Sequence, residues 1–404
     1  MRKARILFMM LLFLLVLTSC VGKREINDLA LVMAVGLDKG SEEGKIKVTV
    51  QIARPADARG QTGAPSGQTG EPIWSVEAEG ETIIEAIRNL SSFTSRRIFW
   101  AHNFIIVINE ELAKEGISEI IDFFTRNPEL RMRTYVVVSP ENAGEVVSTI
   151  TGIEVIPGET LFKLFRYSSL SSFAPRTQMM DLQAAYLNES SQPVLARVKF
   201  KKSGISNKEP GKGPTIKQIE LAGAGIFVDD KLVGILEDKE TKGLLYFRER
   251  LESVVLTAPC PSDSEKKISV ELRHETFDVD PLYKNNTISF QVKITSYASV
   301  VEAGCPFSIS NRDEVKQLEQ EIENEIKTDV NQTIEKLQKE YKSDVLELGK
   351  VFQNEYPYEW KQLADKWENV FPTVTINISV DAHVKHGSLL IEETNSGKKE
   401  NIIE

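Results

Sequence analysis

With 404 residues, 59 acidic against 49 basic side chains and a net charge of −10, the chain is long enough for two or three domains with separate cores. An acidic exterior repels nucleic acid and anionic headgroups, so neither is a partner of the general surface. Three cysteines, Cys20, Cys260 and Cys305, are too few and too scattered for a structural zinc site.

Arg2, Lys3 and Arg5 open the chain, and Ile6–Leu17 is an unbroken apolar block of 12 residues, short of the roughly 20 that a membrane-spanning helix needs. It reads as the core of a secretory signal over residues 1–19. Leu17, Thr18 and Ser19 then precede Cys20 in the pattern of the bacterial lipobox. That pattern predicts cleavage before Cys20 and a covalent diacylglyceryl lipid on its thiol, two acyl chains being what stable anchoring requires. An uncleaved short anchor, or a cleaved signal with an incidental cysteine, is the competing reading. Cleavage lowers the basic count from 49 to 46 and leaves a net charge of −13, so membrane association runs through the lipid or a membrane protein. An exported compartment permits a Cys260–Cys305 disulfide, but two free, buried thiols are the favoured expectation.

Residues 20–140 form the first predicted domain. Leu29–Asp38 and Lys45–Ala53 read as a hairpin through "KGSEEG", the second strand alternating Ile46, Val48, Val50 and Ile52 with polar residues. Residues 54–72 hold seven Gly or Pro and almost nothing to bury, which predicts a mobile loop. Strands follow at Ile73–Ala78, Phe104–Ile108 and Arg133–Val138, with helices over Glu81–Phe93 and Glu110–Thr125. Residues 141–265 form a middle domain, mostly helical from Asn142 to Glu189. A strand at Pro193–Phe200 precedes a loop over Lys201–Pro214, and Ile219–Val228 and Leu232–Leu236 make a hairpin around "DDK". "ETKGLLYFRERLES" reads as a helix.

Residues 266–387 form the third domain. Lys267–Arg273 and Thr287–Thr295 alternate as strands, and Asn311–Tyr341 carries one apolar stripe from Val315 through Leu318, Ile322, Ile326, Val330, Ile334 and Leu337 to Tyr341. A break is expected near Ser343–Asp344, both good N-cap residues. One short helix should carry Trp360, Leu363 and Trp367 on its core face, ahead of a last strand at Val374–Val384; residues 388–404 read as a loose tail. The fold class is α/β (α+β mixed) and multi-domain, each domain a mixed or antiparallel sheet with packed helices.

Motifs of catalysis are missing. His383 and His386 sit on or beyond a strand, where residues three apart face opposite ways, so H-x-x-H there does not make a metal site. "GAG" at Gly223–Gly225 has no helix N-terminus after it and reads as a bulge or a close approach. Asp278 and Asp280 read as a solvated strand end rather than a carboxylate pair. There is no G-x-S-x-G and no H-E-x-x-H. No cofactor, catalytic residue or metal ligand is assigned.

Three stretches carry a resemblance. They are "KREINDLALVMAVGLDKG" after the lipobox, "FTSRRIFWAHNFIIVINEELAKEGISEIIDFFTRNPELRMRTYVVVSPENAGEVV", and "KEYKSDVLELGKVFQNEYPYEWKQLADKWENVFPTVTINISVDAHVKHG". Together they resemble the Ger(x)C lipoproteins, the C subunits of spore germinant receptors, over nearly the whole mature chain. The resemblance rests on Arg24-Glu25, Asn27-Asp28, His102, Arg126, Asp344, Gly349, Trp360 and Trp367, with "LAGAGIFVDDKLVGIL" similar to the family's central hairpin. Val21 and Gly22 depart from the family's usual Trp-Asp after the lipid cysteine. The resemblance implies three α/β domains and no catalytic residues. It also implies a place on the outer face of the spore inner membrane, with two integral membrane subunits (A and B type) that sense nutrients and trigger germination. The rival readings are a solute-binding lipoprotein of a transporter, which requires two similar lobes with a hinge, and a lipoprotein hydrolase, which the motif search disfavours.

Overall fold

The computed structural model describes residues 28–54, 73–151, 154, 156–167, 173–206, 208, 210–248 and 253–385. The expected signal segment, Cys20, most of the expected loop 54–72 and the expected tail from Ser388 therefore lie outside the described residues.

The period-two segments pair as expected. β1 (Leu29–Lys39) and β2 (Ile46–Ala53) are antiparallel with Val35 opposite Val50, and β2 pairs with β3 (Ile73–Gly80). On its other side β1 runs parallel first to β4 (Arg97–Phe99) and then to β5 (Ile105–Asn109). β6 (Tyr135–Ser139), β7 (Val194–Ile205), β8 (Pro214–Val228) and β9 (Lys231–Leu236) complete a nine-stranded mixed sheet of order β3-β2-β1-β5-β6-β7-β8-β9, with β4 beside β1. The sheet passes across residue 140 through the parallel pair Val137–Ala196.

β5 and β6 are apolar at almost every position because both faces are covered. Ile106, Ile108 and Val136 face α1 (Ile83–Ser91), α2 (Glu110–Glu115) and α3 (Ser118–Arg126), while Ile105, Val107 and Val137 face α4 (Ala143–Ser148) and α5 (Pro157–Arg166). α6 (Met179–Tyr186) returns to the first face through Met179 and Leu182. The single helix expected over Glu110–Thr125 is two, because Gly116 takes φ 142° and the Ile117 N–H leaves the helical ladder for Asp230 O at 2.9 Å.

The expected loop at Lys201–Pro214 is largely a hairpin instead: β7 continues to Ile205 and β8 starts at Pro214. Its residues are polar because both faces of the ribbon are exposed there, and solvent exposure leaves the same composition as a linker. Gly223 sits in a bulge at φ 97°, where a side chain would strike Leu236 O, in line with the close approach expected of "GAG".

β10 (Val254–Cys260), β11 (Asp263–Lys284), β12 (Thr287–Ala303) and β13 (Thr375–Val384) form a second, four-stranded sheet in that order, antiparallel except for β12–β13. α8 (Arg312–Glu335) lays Leu318, Ile322, Ile326 and Val330 on it, and α7 (Asp238–Arg248) lies against α8 with Gly243 facing Thr333 and Asp329. The two sheets share one continuous apolar cluster that joins Ile226, Leu236 and Leu244 to Phe290, Ile294 and Leu318.

Two expectations need correction here. Cys260 and Cys305 are not free thiols but a disulfide, with Cα atoms 6.4 Å apart. They stand 45 residues apart in sequence, and only the folding back of three antiparallel strands brings the end of β10 beside the segment after β12. The single helix carrying both tryptophans is also broken: α10 (Pro357–Leu363) holds Trp360, and α11 (Trp367–Val370) begins after a tight turn over Ala364–Lys366.

Candidate functional site

The break in the long helix organises the junction of the two sheets. Past Glu335 the helix widens over Lys336–Tyr341 and stops at Lys342, which is left-handed at φ 53°. Ser343 and Asp344 then turn inward. The Asp344 carboxylate accepts N–H groups from Leu348 at 3.1 Å and Gly349 at 2.7 Å, in the first turn of α9 (Leu348–Glu355), and the Trp367 indole N–H at 2.8 Å. It caps a helix that starts four residues later, where unpaired N–H groups and the helix dipole favour an anion. Burial still dominates and pushes its pKa up to about 6 against those three donors.

Gly349 is glycine because a Cβ would lie 2.6 Å from Ser190 O and 2.6 Å from Trp367 Nε1. Trp360 and Trp367 pack at 5.3 Å between ring centres, and Phe352 stacks on Trp367. Both indoles are 4% exposed, which makes them core residues. Asp344, Gly349, Trp360 and Trp367, spread over two dozen positions of sequence, thus form one knot.

The knot holds on to the first sheet. Gln192 N–H donates to Asp344 O at 3.1 Å and Ser343 Oγ to Phe227 O at 2.5 Å. Tyr341 Oη accepts Ile235 N–H at 3.2 Å and donates to Ile235 O at 2.9 Å, its ring filling the space left by Gly234. Lys336 bonds Glu240 at 3.0 Å, and Arg248 reaches Val345 O at 2.9 Å and Glu347 at 3.2 Å. The β8–β9 hairpin is therefore the socket for the end of the long helix. Asp344 and Ser343 are both engaged by the chain's own groups, an arrangement that positions two sheets.

A second buried carboxylate does similar work in the first sheet. Asp38 accepts Ala143 N–H at 2.7 Å and Gly144 N–H at 2.9 Å at the start of α4, and burial holds its pKa above the usual carboxylate value in spite of them. Gln51 joins Val147 O at 2.5 Å and Gly158 N–H at 3.1 Å. Gln51 occupies one of the alternating polar positions of β2, which period alone would turn to solvent, but both faces of that strand are covered.

A surface groove lies between α1 and α3. Ile84, Ile87, Trp100 and Asn127 are common to its two compartments, of about 660 and 580 Å³, with Arg126 at one rim and Arg96 and Arg97 at the other. Arg126 is 78% exposed and paired with Asp122 at 2.7 Å; His102 is exposed in the turn before β5.

Cys20, Arg24, Glu25, Asn27 and His386 lie outside the described residues, and Asp28 is exposed at the start of β1. His383 is exposed on β13, and Asp278 and Asp280 are exposed on β11. Among the described residues no group of three or more His, Cys, Asp or Glu is placed to hold a metal ion, and no helix is long and apolar enough to cross a membrane. The sequence marks Tyr341 only as the end of an apolar stripe and marks neither Lys336 nor Arg248, because the partners of all three are more than 90 positions away.

Residues 22–200 match the family described as spore germination protein N-terminal domain, and residues 222–388 match spore germination B3/GerAC like, C-terminal. The chain belongs to this Ger(x)C family of spore germination proteins. It is 27% identical to spore germination protein KC of Bacillus subtilis (strain 168) over 341 residues, 82% of each chain. It is 23% identical to spore germination protein B3 of the same organism over 328 residues, 80% of this chain and 81% of that one. The crystal structure of the GerBC protein shares its fold at a TM-score of 0.55 and 19% identity, covering 87% of this chain and 96% of that one.

Proposed function

We propose that this chain is the lipid-anchored, non-enzymatic C subunit of a nutrient germinant receptor. A diacylglyceryl group on Cys20 holds it on the outer face of the spore inner membrane, where it acts with two integral membrane subunits of A and B type to trigger germination. The observation that carries this reading is family membership over residues 22–388 directly after a lipobox at Leu17–Cys20. The closed hydrogen bonding of Asp344 and Asp38 supports a scaffold role, since neither carboxylate is aimed at open space.

Cys20→Ala tests the anchor. It removes the alkylation site while leaving every described core residue, so folded protein should persist, the spore membrane should hold less of it, and nutrient-triggered germination should weaken while receptor-independent germination stays intact. Full nutrient response with unlipidated protein at normal levels refutes anchoring as a requirement. Crosslinking from spore membranes should recover the two integral subunits.

A solute-binding lipoprotein remains the rival class, and the architecture speaks against it: the nine-stranded mixed sheet and the four-stranded sheet are unlike and share one core rather than facing each other across a hinge. Titration calorimetry of the chain with a nutrient panel should be silent; micromolar binding of one compound would favour the rival.

A further inference from the structure

Chain connectivity bounds how far the start of β1 can lie from the anchor. From Cys20 to Leu29 there are nine residue steps, which even fully extended reach about 30 Å. Leu29 pairs with Arg97, and β5 and β6 start farther along β1, at Ala34 opposite Ile105 and Ile105 opposite Tyr135. The turns before β4, β5 and β6 and the C-terminal ends of α1 and α3 therefore gather at the end where β1 begins.

That end is net positive in a net acidic chain, six arginines standing against Asp28, Asp122, Glu129 and Asp181. Arg88, Arg96, Arg97, Arg126, Arg131 and Arg133 are all exposed on it, in a chain of net charge −10. Arg97 pairs with Glu129 at 2.6 Å and Arg126 with Asp122 at 2.7 Å, while the other four make no ion pair with a described residue. Beside them Phe93 stands in solvent at 54% exposure, and Ile84, toward the N-terminal end of α1 and 48% exposed, opens onto the groove floored by Ile87 and Trp100.

We propose that this end of the sheet is a membrane-docking surface that takes anionic phospholipid headgroups, the arginines engaging phosphate and Phe93 entering the interfacial layer. A cationic patch within a Debye length of an anionic bilayer is drawn to it, although the rest of the chain is repelled. Docking there would fix the orientation of the subunit on the lipid surface. The direction of approach rests on the Cys20 anchor proposed above; the affinity for lipid does not.

The test uses a chain beginning at Val21, which keeps every described residue and has no acyl group. It should co-sediment with vesicles of phosphatidylcholine containing phosphatidylglycerol, not with phosphatidylcholine alone, and added salt should release it. The triple variant R96E/R131E/R133E should lose at least about tenfold in apparent affinity, while K361E/K366E, at exposed lysines of the second sheet's helices, should bind as the parent does. No binding to either vesicle, equal binding to both, or an unchanged triple variant overturns the proposal. If the triple variant instead loses its crosslinks to a membrane subunit while neither chain binds vesicles, the patch is a protein interface and the lipid assignment is wrong. Acylation of Cys20, read by mass spectrometry of the native chain, is scored separately, so failure of the anchor and failure of the patch are distinguishable.

Discussion

Two buried aspartates of the C-terminal half share a direction of titration and differ in their partners. Asp344 has three N–H donors, whereas Asp329 Oδ1 has no hydrogen-bond partner. Burial pushes Asp329 up to about 6, with Glu325 one helical turn away adding to the rise and Lys239 and Lys242 on α7 opposing it. In each case the folded value is raised above 3.8. The stability each contributes is therefore fully present below the unfolded pKa and lost as pH rises through the folded value, giving a protein more stable near pH 4 than near pH 8 as far as these groups decide it. Substitution separates them. Asp329→Asn removes an unmatched charge and should raise stability by about 1–3 kcal/mol near pH 8 but not near pH 4. Asp344→Asn keeps one acceptor for three donors and should cost about 1–3 kcal/mol near pH 8. Urea denaturation midpoints at the two pH values check both, and a gain in Asp344→Asn would show that its donors find other partners.

Among the elements, the three-strand unit β10–β12 is closed covalently and the tryptophan pair is closed by packing. The Cys260–Cys305 bond spans 45 residues, and breaking it with a double Cys→Ala variant should cost about 2–4 kcal/mol. Thiol reduction of the parent should lower the melting temperature to match the variant; an unchanged melting temperature would mean that the strands hold without the bond. Trp360→Ala empties a site that is 4% exposed between Phe352 and Trp367 and should cost about 3–5 kcal/mol. If that variant keeps full stability and loses only its association with membrane subunits, the indole is an interface residue instead.

Over the whole molecule, the two sheets are coupled by their shared apolar cluster and by a few side chains just past the end of α8. Tyr341 can lie on β9 only because Gly234 has no side chain. Gly234→Val should force the ring out and separate the sheets locally. Amide exchange should then rise together in β9 and in residues 336–348, while β1 and β2, on the far side of the first sheet, stay protected. Uniform loss of protection would mean that the two sheets unfold as one unit and that the socket is part of a single cooperative core.

What could be read from the sequence follows from local period and local chemistry. Ile46–Ala53 and Val374–Val384 alternate, so they are strands; Leu318 to Val330 recur at three and four, so they form a buried helical stripe. The mixed α/β class and the Ger(x)C family were legible on those grounds and on the motif residues. Local pattern misjudged Lys201–Ile205, because a two-sided exposed ribbon and a linker share a composition, and Glu110–Thr125, because one glycine conformation interrupts an otherwise continuous stripe. Nothing in a one-dimensional pattern encodes distance between remote positions, so only tertiary structure decided that Cys260 meets Cys305, that Asp344 draws Trp367 and the start of α9 together, and that Tyr341 seats on the β8–β9 hairpin. The same holds for the charge of the end where β1 begins: the arginines from 88 to 133 are dispersed among acidic residues along the chain, and only the parallel pairing of β1 with β4 and β5 gathers them on one surface.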